Sequence, residues 1–155
     1  LAVTAIMPFQ ATIAQVTALA VFMPIISDMG GNVGFQAMAV GVRSISDTRI
    51  TLRIFFREIR RELFIGIMNG LLLSLIIALL GFAGWGNPYL GFIVAIALFF
   101  NTILACLVGG SLPMIFKKMK LDPALMSGAF LTTITDFSGF LIFLSLATCF
   151  LEKLI

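Results

Sequence analysis

Long apolar runs dominate the chain, and short stretches rich in charged or turn-forming residues separate them. Residues 11–42, 63–83, 89–116 and 123–151 are each long enough to cross a hydrocarbon layer of about 30 Å as a helix. Residues 1–9 are apolar but too short to cross, and they lack the charged start and cleavage site of a signal peptide. The pattern predicts an all-α, polytopic transmembrane helix bundle with four full helices and the tail of a truncated first helix.

Composition agrees with a membrane chain and argues against an enzyme. Of the 155 residues, 61% are hydrophobic and only 11% are charged. Histidine is absent, and Cys106 and Cys149 stand singly in apolar runs, where a thiol is usually a small packing residue. No nucleophile–base pair, phosphate-binding loop or haem motif is present. We therefore expect oxygen ligands and no catalytic chemistry.

The basic residues indicate how the chain is oriented. They fall in two connections on the same side by helix count: Arg43, Arg49, Arg53, Arg57, Arg60, Arg61, Lys117, Lys118 and Lys120. The positive-inside rule makes that side cytoplasmic. We expect a multi-pass protein of the cell membrane with cytoplasmic basic loops and its C-terminus outside. These flanks account for the net charge of +3, so nucleic acid is not an expected partner. Residues 43–62 are expected either to extend the helices beyond the lipid bilayer or to lie along its surface.

Asp136 is a carboxylate near the middle of the last apolar run, with no Lys or Arg close to it in sequence. Counted from Pro123, it lies roughly 20 Å along its helix, inside the hydrocarbon layer. An acid at that depth must face a partner, water or an ion. Asp136 is therefore the first candidate for a functional residue.

Two polar faces accompany this acid. Asp28, Asn32 and Gln36 recur every four residues in segment 11–42, beside glycines that permit close or irregular backbone. The last helix has a matching small and polar face formed by Gly128, Thr132, Asp136 and Gly139. A threonine hydroxyl there can hold the carbonyl of the preceding turn. Taken alone, such faces fit either a hydrogen-bonded seam between helices or the wall of an ion path.

Carboxylate, carbonyl and hydroxyl oxygens suit a hard cation, Mg²⁺ or Ca²⁺. Mg²⁺ is the better match because it keeps several waters and takes few carboxylates. One aspartate per chain is too few for a site. A two-fold homodimer would bring two Asp136 side chains to a shared axis, with a cation between the like charges.

Two stretches carry a resemblance to a known family. They are Gly31-Asn-Val-Gly-Phe-Gln36, preceded by Pro24-Ile-Ile-Ser-Asp-Met-Gly30, and Thr132-Thr-Ile-Thr-Asp136, preceded by Asp122-Pro-Ala-Leu-Met-Ser-Gly128. Because both stretches occur and the order of the helices between them also matches, the chain resembles the membrane domain of MgtE-type magnesium channels over nearly its whole length. The resemblance implies a homodimer with the ion path between segments 11–42 and 123–151.

The resemblance also implies roles for individual residues. Asp136 aligns with the pore acid of the family, which binds a largely hydrated Mg²⁺, so Mg²⁺ is both the expected cargo and the pore-bound ion. Thr132, Gly128 and Asn32 are expected to contribute to the metal path. The expected pore lining further comprises Gly30, Gly31, Gly34, Gln36, Thr133 and Gly139.

The chain departs from the family pattern in two respects. It supplies only the tail of the first of five helices, and it contains no cytoplasmic Mg²⁺-sensing domains. At the cytoplasmic edge, Glu58, Glu62 and Asp122 are expected to pair with nearby Arg and Lys. The alternative there is a second divalent site formed by Asp122 and Glu62.

Three functions remain open at this point. A Mg²⁺-selective channel is favoured over an ion-coupled secondary transporter of divalent cations and over a non-transporting assembly subunit. Coupled transporters commonly contain internal repeats, and the pattern of residues 30–36 has no second copy in the chain.

Overall fold

The computed structural model describes residues 2–45, 51–84 and 87–155, without the side chains of residues 81–84 and 123–127. Arg49, one of the basic residues used above, lies outside the described residues. The described helices are α1 (Ala2–Ile6), a 3₁₀ turn (Met7–Phe9), α2 (Gln10–Gln15), α3 (Ala18–Ile45), α4 (Leu52–Gly84), α5 (Pro88–Lys118), α6 (Pro123–Cys149) and α7 (Leu151–Leu154). The expected all-α transmembrane bundle is confirmed, because α3, α4, α5 and residues 128–149 of α6 are long and apolar enough to span a membrane.

The expected helix 11–42 is instead two helices, α2 and α3. Val16 leaves the helical region with φ −126° and ψ 80°, although its N–H still bonds to the Thr12 carbonyl. Val16 and Thr17 are β-branched residues with a lower helix preference than Ala or Leu, which permits a break there but does not require one, since Thr132–Thr135 continue within α6. The break was not expected because hydrophobicity continues unchanged through it.

Helix α4 begins well before the expected residue 63. Residues 52–62 continue the membrane helix without interruption, so this part of the arginine-rich segment extends a helix beyond the apolar span. Arg and Glu favour helices, and the segment contains neither Gly nor Pro before Gly66. Of the two expected arrangements, extension of a helix is therefore the one found for residues 52–62.

Helix α5 begins and ends at clear local signals. Asn87 caps its start by accepting a hydrogen bond from the Tyr89 N–H at 3.0 Å, and Pro88 occupies the first turn. At the other end Lys120 adopts φ 61°, and the Leu121 N–H bonds back to the Phe116 carbonyl at 2.9 Å. The chain then turns directly into α6.

Helix α5 is the central element of the bundle and packs against α3, α4 and α6. Glycines let the backbones approach closely: a Cβ at Gly109 would collide with the Gly34 carbonyl, and one at Gly41 would lie 3.2 Å from the Gly110 carbonyl oxygen. The main core joins α3, α5 and α6 through Leu19, Phe22, Ile26, Ile93, Val94, Ala97, Leu98, Phe143, Leu144 and Ala147. This packing holds α3 and α6 side by side against α5.

Helix α4 lies at the periphery. Within the candidate membrane span Leu52–Leu80, only 11% of the apolar stretch is buried inside the protein. Large apolar side chains cover its outer face, including Leu71, Leu72, Leu75, Leu79 and Leu80. A helix this apolar and this exposed is suited to contact with lipid.

Candidate functional site

Asp136 lies in α6 on the side that faces α3, and it is half-buried. The Ser27 hydroxyl of α3 donates a hydrogen bond to its Oδ1 atom at 2.6 Å. This hydrogen bond joins α6 to α3. The acid found in the sequence is thus fixed to the neighbouring helix by a residue 109 positions away in the chain.

Helices α3 and α6 run antiparallel beside each other at this point. Ser27 meets Asp136 at one level, and two helical turns further along α3 the Phe35 ring lies against Gly128, where a Cβ would be 3.4 Å away. Between these contacts, a Cβ at Gly31 would meet nothing within 4 Å. Thr132, one turn from both Gly128 and Asp136, lies on α6 at that level and is exposed. The two helices therefore border an open, partly polar strip, which we call the α3–α6 seam.

Threonine hydroxyls along α6 hold the carbonyls of the preceding turn. Thr132 Oγ1 donates to the Gly128 carbonyl at 3.1 Å, and Thr133 Oγ1 donates to the Ala129 carbonyl at 2.8 Å. This confirms the expected threonine–carbonyl arrangement for Thr132. Because the Gly128 oxygen already accepts this bond, the Thr132 oxygen is the more accessible of the two for a cation or its water shell.

The polar stripe predicted on α3 is exposed in the structure. Asp28, Asn32 and Gln36 are all exposed, although they lie in a helix long and apolar enough to cross a membrane. Lipid does not solvate such groups, so this face requires water, an ion or another protein surface.

Three of the glycines expected in the pore lining face protein. Gly30 and Gly139 both pack on the Asn101 side chain, and a Cβ at Gly34 would lie 2.8 Å from Leu131 Cδ1. They are buried where α3, α5 and α6 converge, and their place in a pore lining stays a prediction. Gly31 is also buried, but a Cβ added there would meet nothing within 4 Å.

Asn101 of α5 contacts both α3 and α6. Its Nδ2 donates to the Ile26 carbonyl of α3 at 3.1 Å, and the Ser138 hydroxyl of α6 approaches its Oδ1 at 3.5 Å. Asn101 is fully buried, so both contacts are shielded from solvent. The Ser138 proton goes to the Ile134 carbonyl of its own helix at 2.6 Å, so the bond that Asn101 makes is the one to Ile26, which ties α5 to α3 beside Ser27.

The acids at the arginine-rich end of α4 are engaged in ion pairs. Arg61 contacts Glu58 Oε2 and Glu62 Oε1, each at 2.8 Å. The expected pairing is thereby confirmed for Glu58 and Glu62. Asp122 is exposed just before α6. A divalent site shared by Asp122 and Glu62 stays a prediction.

The seam has the chemistry of a site for a hydrated ion. Among the described residues no three His, Cys, Asp or Glu side chains come together as a metal cage. Asp136 instead lies beside the hydroxyl of Ser27 and one turn from that of Thr132, along the α3–α6 seam. A single carboxylate with outer oxygens matches Mg²⁺, which keeps much of its water, better than it matches an ion that needs full protein coordination.

Ser27 and Asn101 were not assigned roles from the sequence. Ser27 is one turn before Gly31 and thus on the same side of α3, which is a weak signal in the pattern. Asn101 is a polar residue within an apolar run, a position from which only a bridge to a neighbouring helix could be expected. Their actual partners depend on the relative height of the helices, which no local pattern gives.

Comparison with known proteins finds relatives in one family. Residues 23–146 match the family model of MgtE, described as a divalent cation transporter. The magnesium transporter MgtE of Bacillus subtilis (strain 168) is 39% identical over 150 residues, 94% of this chain. That of Thermus thermophilus is 35% identical over 145 residues, and that of Enterococcus faecalis 31% identical over 144, in each case 93% of this chain. The chain spans 32% of the length of each of these relatives.

Proposed function

The chain belongs to the MgtE family of divalent cation transporters, and from this premise we propose that it conducts Mg²⁺ across the cell membrane as a channel along the α3–α6 seam. Asp136 binds the largely hydrated ion in this path. The family's description as a transporter is in line with the expectation that the chain is not an enzyme.

The observation that carries the proposal is the position of Asp136. It is an acid within a membrane-spanning helix, and it borders a strip that is open at Gly31 and edged by the exposed Thr132 and Asn32. A carboxylate at such a depth is costly unless water or a cation accompanies it. Conduction needs binding that is favourable but not tight, which a hydrated ion near one or two carboxylates provides.

A second copy of the chain completes the proposed path. The seam faces away from α5, so a single chain forms only one wall of a pore. Two chains related by a two-fold axis would place two Asp136 side chains across the path, and the ion would offset their repulsion. The same arrangement would cover the polar face of Asp28, Asn32 and Gln36, which lipid cannot solvate.

Orientation follows from the arginine-rich and lysine-rich ends. We propose that they are cytoplasmic and that the C-terminus is outside. The ion then passes between the outer level of the seam at Asp136 and its inner level at Gly128 and Gln36. Negative charge at Asp136 would concentrate cations over anions at the outer part of the path.

The test is Mg²⁺ flux into liposomes that contain the purified chain, without a proton or sodium gradient. Asp136→Asn removes the charge and almost no volume, and we expect at least about a tenfold loss of flux or of selectivity for divalent ions. Glu152→Gln, a matched change at an exposed acid of α7, should leave flux unchanged.

The outcomes separate the channel from the coupled transporter. Flux that requires an imposed proton or sodium gradient would replace the channel with ion-coupled transport. Equal flux in wild type and Asp136→Asn would remove this carboxylate from the mechanism. No Mg²⁺ flux in wild type under either condition would leave a non-transporting subunit as the better description of this chain.

A further inference from the structure

The hydrogen bond between Ser27 and Asp136 has a direct effect on how the acid can bind an ion. The Ser27 hydroxyl occupies the Oδ1 atom of Asp136 at 2.6 Å. A hydroxyl in a membrane helix usually donates to a carbonyl of its own preceding turn, as Ser74 does with the Leu71 carbonyl at 3.1 Å. Ser27 instead crosses to another helix and bonds Oδ1 of Asp136.

The structure holds Ser27 firmly in this position. The carbonyl of the preceding residue, Ile26, accepts a hydrogen bond from the fully buried Asn101 at 3.1 Å. Gly30 and Gly139 leave the room that Asn101 needs between α3 and α6. Sliding of α3 along α5 would break this buried bond, so Ser27 is held at a constant height on the side of α3 that meets Asp136.

The number of carboxylate oxygens available matters for the choice of ion. Ca²⁺ takes six to eight oxygen ligands and often binds a carboxylate through both oxygens, whereas Mg²⁺ keeps several waters and binds through one. A serine hydroxyl on one oxygen takes one of the two lone-pair positions of that oxygen, and it therefore competes with binding of an ion through both oxygens. The carboxylate still serves a hydrated Mg²⁺, either directly or through a water.

Resting on the proposed function, we infer that Ser27 is a specificity-determining residue, which disfavours Ca²⁺ by occupying one oxygen of the pore carboxylate. The hydroxyl also fixes the rotamer of Asp136, so that the remaining oxygen points to a constant place in the seam. The selectivity at this level thus comes from a pair of residues on two helices rather than from the acid alone.

The experiment measures inhibition of Mg²⁺ flux by Ca²⁺ in liposomes containing the wild-type chain, Ser27→Ala or Ser27→Thr. Ser27→Ala frees Oδ1, and we expect the Ca²⁺ concentration that halves Mg²⁺ flux to fall about tenfold, the ratio typical of one hydrogen bond to a charged group. Ser27→Thr keeps a hydroxyl and should behave like wild type. Ser74→Ala removes a hydroxyl of similar depth on α4 and should also leave the inhibition unchanged.

The results distinguish this inference from the proposed function. Absence of Mg²⁺ flux in the wild-type chain would count against the function itself. Normal Mg²⁺ flux with the same Ca²⁺ sensitivity in wild type and Ser27→Ala would overturn the role of Ser27. If Ser27→Ala does not give a folded protein, Ser27→Cys takes its place, because a thiol is a weak donor of similar size and the same increase in Ca²⁺ sensitivity is expected.

Discussion

Asn32 is an uncharged residue of the proposed path, so its substitution tests the wall of the path separately from the charge of Asp136. It is exposed on α3, one residue from the open space beside Gly31. Asn32→Leu replaces an amide that can bond the water shell of an ion by an apolar group, and we expect Mg²⁺ flux to fall on the order of tenfold. Asn69→Leu makes the same change in the peripheral α4 and should have little effect. Equal flux in all three proteins would exclude Asn32 from the path.

At the residue scale, the sequence located the acid but not its partner. Asp136 could be found because a single charge in an apolar run needs no knowledge of neighbouring helices. Ser27 and Asn101 act through contacts with residues 109 and 75 positions away, which depend on the relative height of packed helices. The glycines show the same limit: Gly30 and Gly31 are adjacent and identical in type, yet one faces Asn101 and the other faces open space.

This difference between adjacent glycines gives a prediction about the packing of α3. A methyl group at Gly30 would collide with the Asn101 side chain, so Gly30→Ala should lower stability by about 1–3 kcal/mol. Gly31→Ala adds the same methyl group where nothing lies within 4 Å and should be tolerated. Thermal unfolding of both variants in detergent checks the prediction. Equal destabilisation would mean that loss of glycine, rather than contact with Asn101, is responsible.

The ion pairs of α4 give a second prediction at the scale of the element. Arg61 bridges Glu58 and the nearly buried Glu62 at 2.8 Å, whereas the Arg57 side chain is 73% exposed and 3.8 Å from Glu58. Arg61→Gln should therefore cost about 1–2 kcal/mol after allowance for the partial exposure of Arg61, and Arg57→Gln should cost much less. Thermal unfolding of the two variants at the same salt concentration measures the difference, and equal values would show that burial of Glu62 does not depend on Arg61.

Helix positions were largely predictable because the length of an apolar run is set by the bilayer. The helix ends were less so. The break at Val16 and the continuation of α4 through the arginines leave no mark in hydrophobicity, since the first lies inside an apolar run and the second lies outside one. The ends of helices depend on local signals that are weaker than the length of an apolar run.

For the whole molecule, the decisive prediction is that two copies meet along the α3–α6 seam. In a Cys149→Ser background, which removes the exposed native thiol, Gln36→Cys places a thiol on the polar face of α3. We expect a bis-maleimide to link two such chains in the membrane, because a two-fold axis beside the seam brings the same position of both copies together. Leu75→Cys, on the exposed apolar face of α4, should give little linkage.

Adding Asp136→Ala to the Gln36→Cys chain should leave the linkage unchanged, since the carboxylate serves the ion rather than the contact between copies. Linkage through α4 instead would place the copies with their seams apart, and each seam would then lack the second wall that an ion path requires.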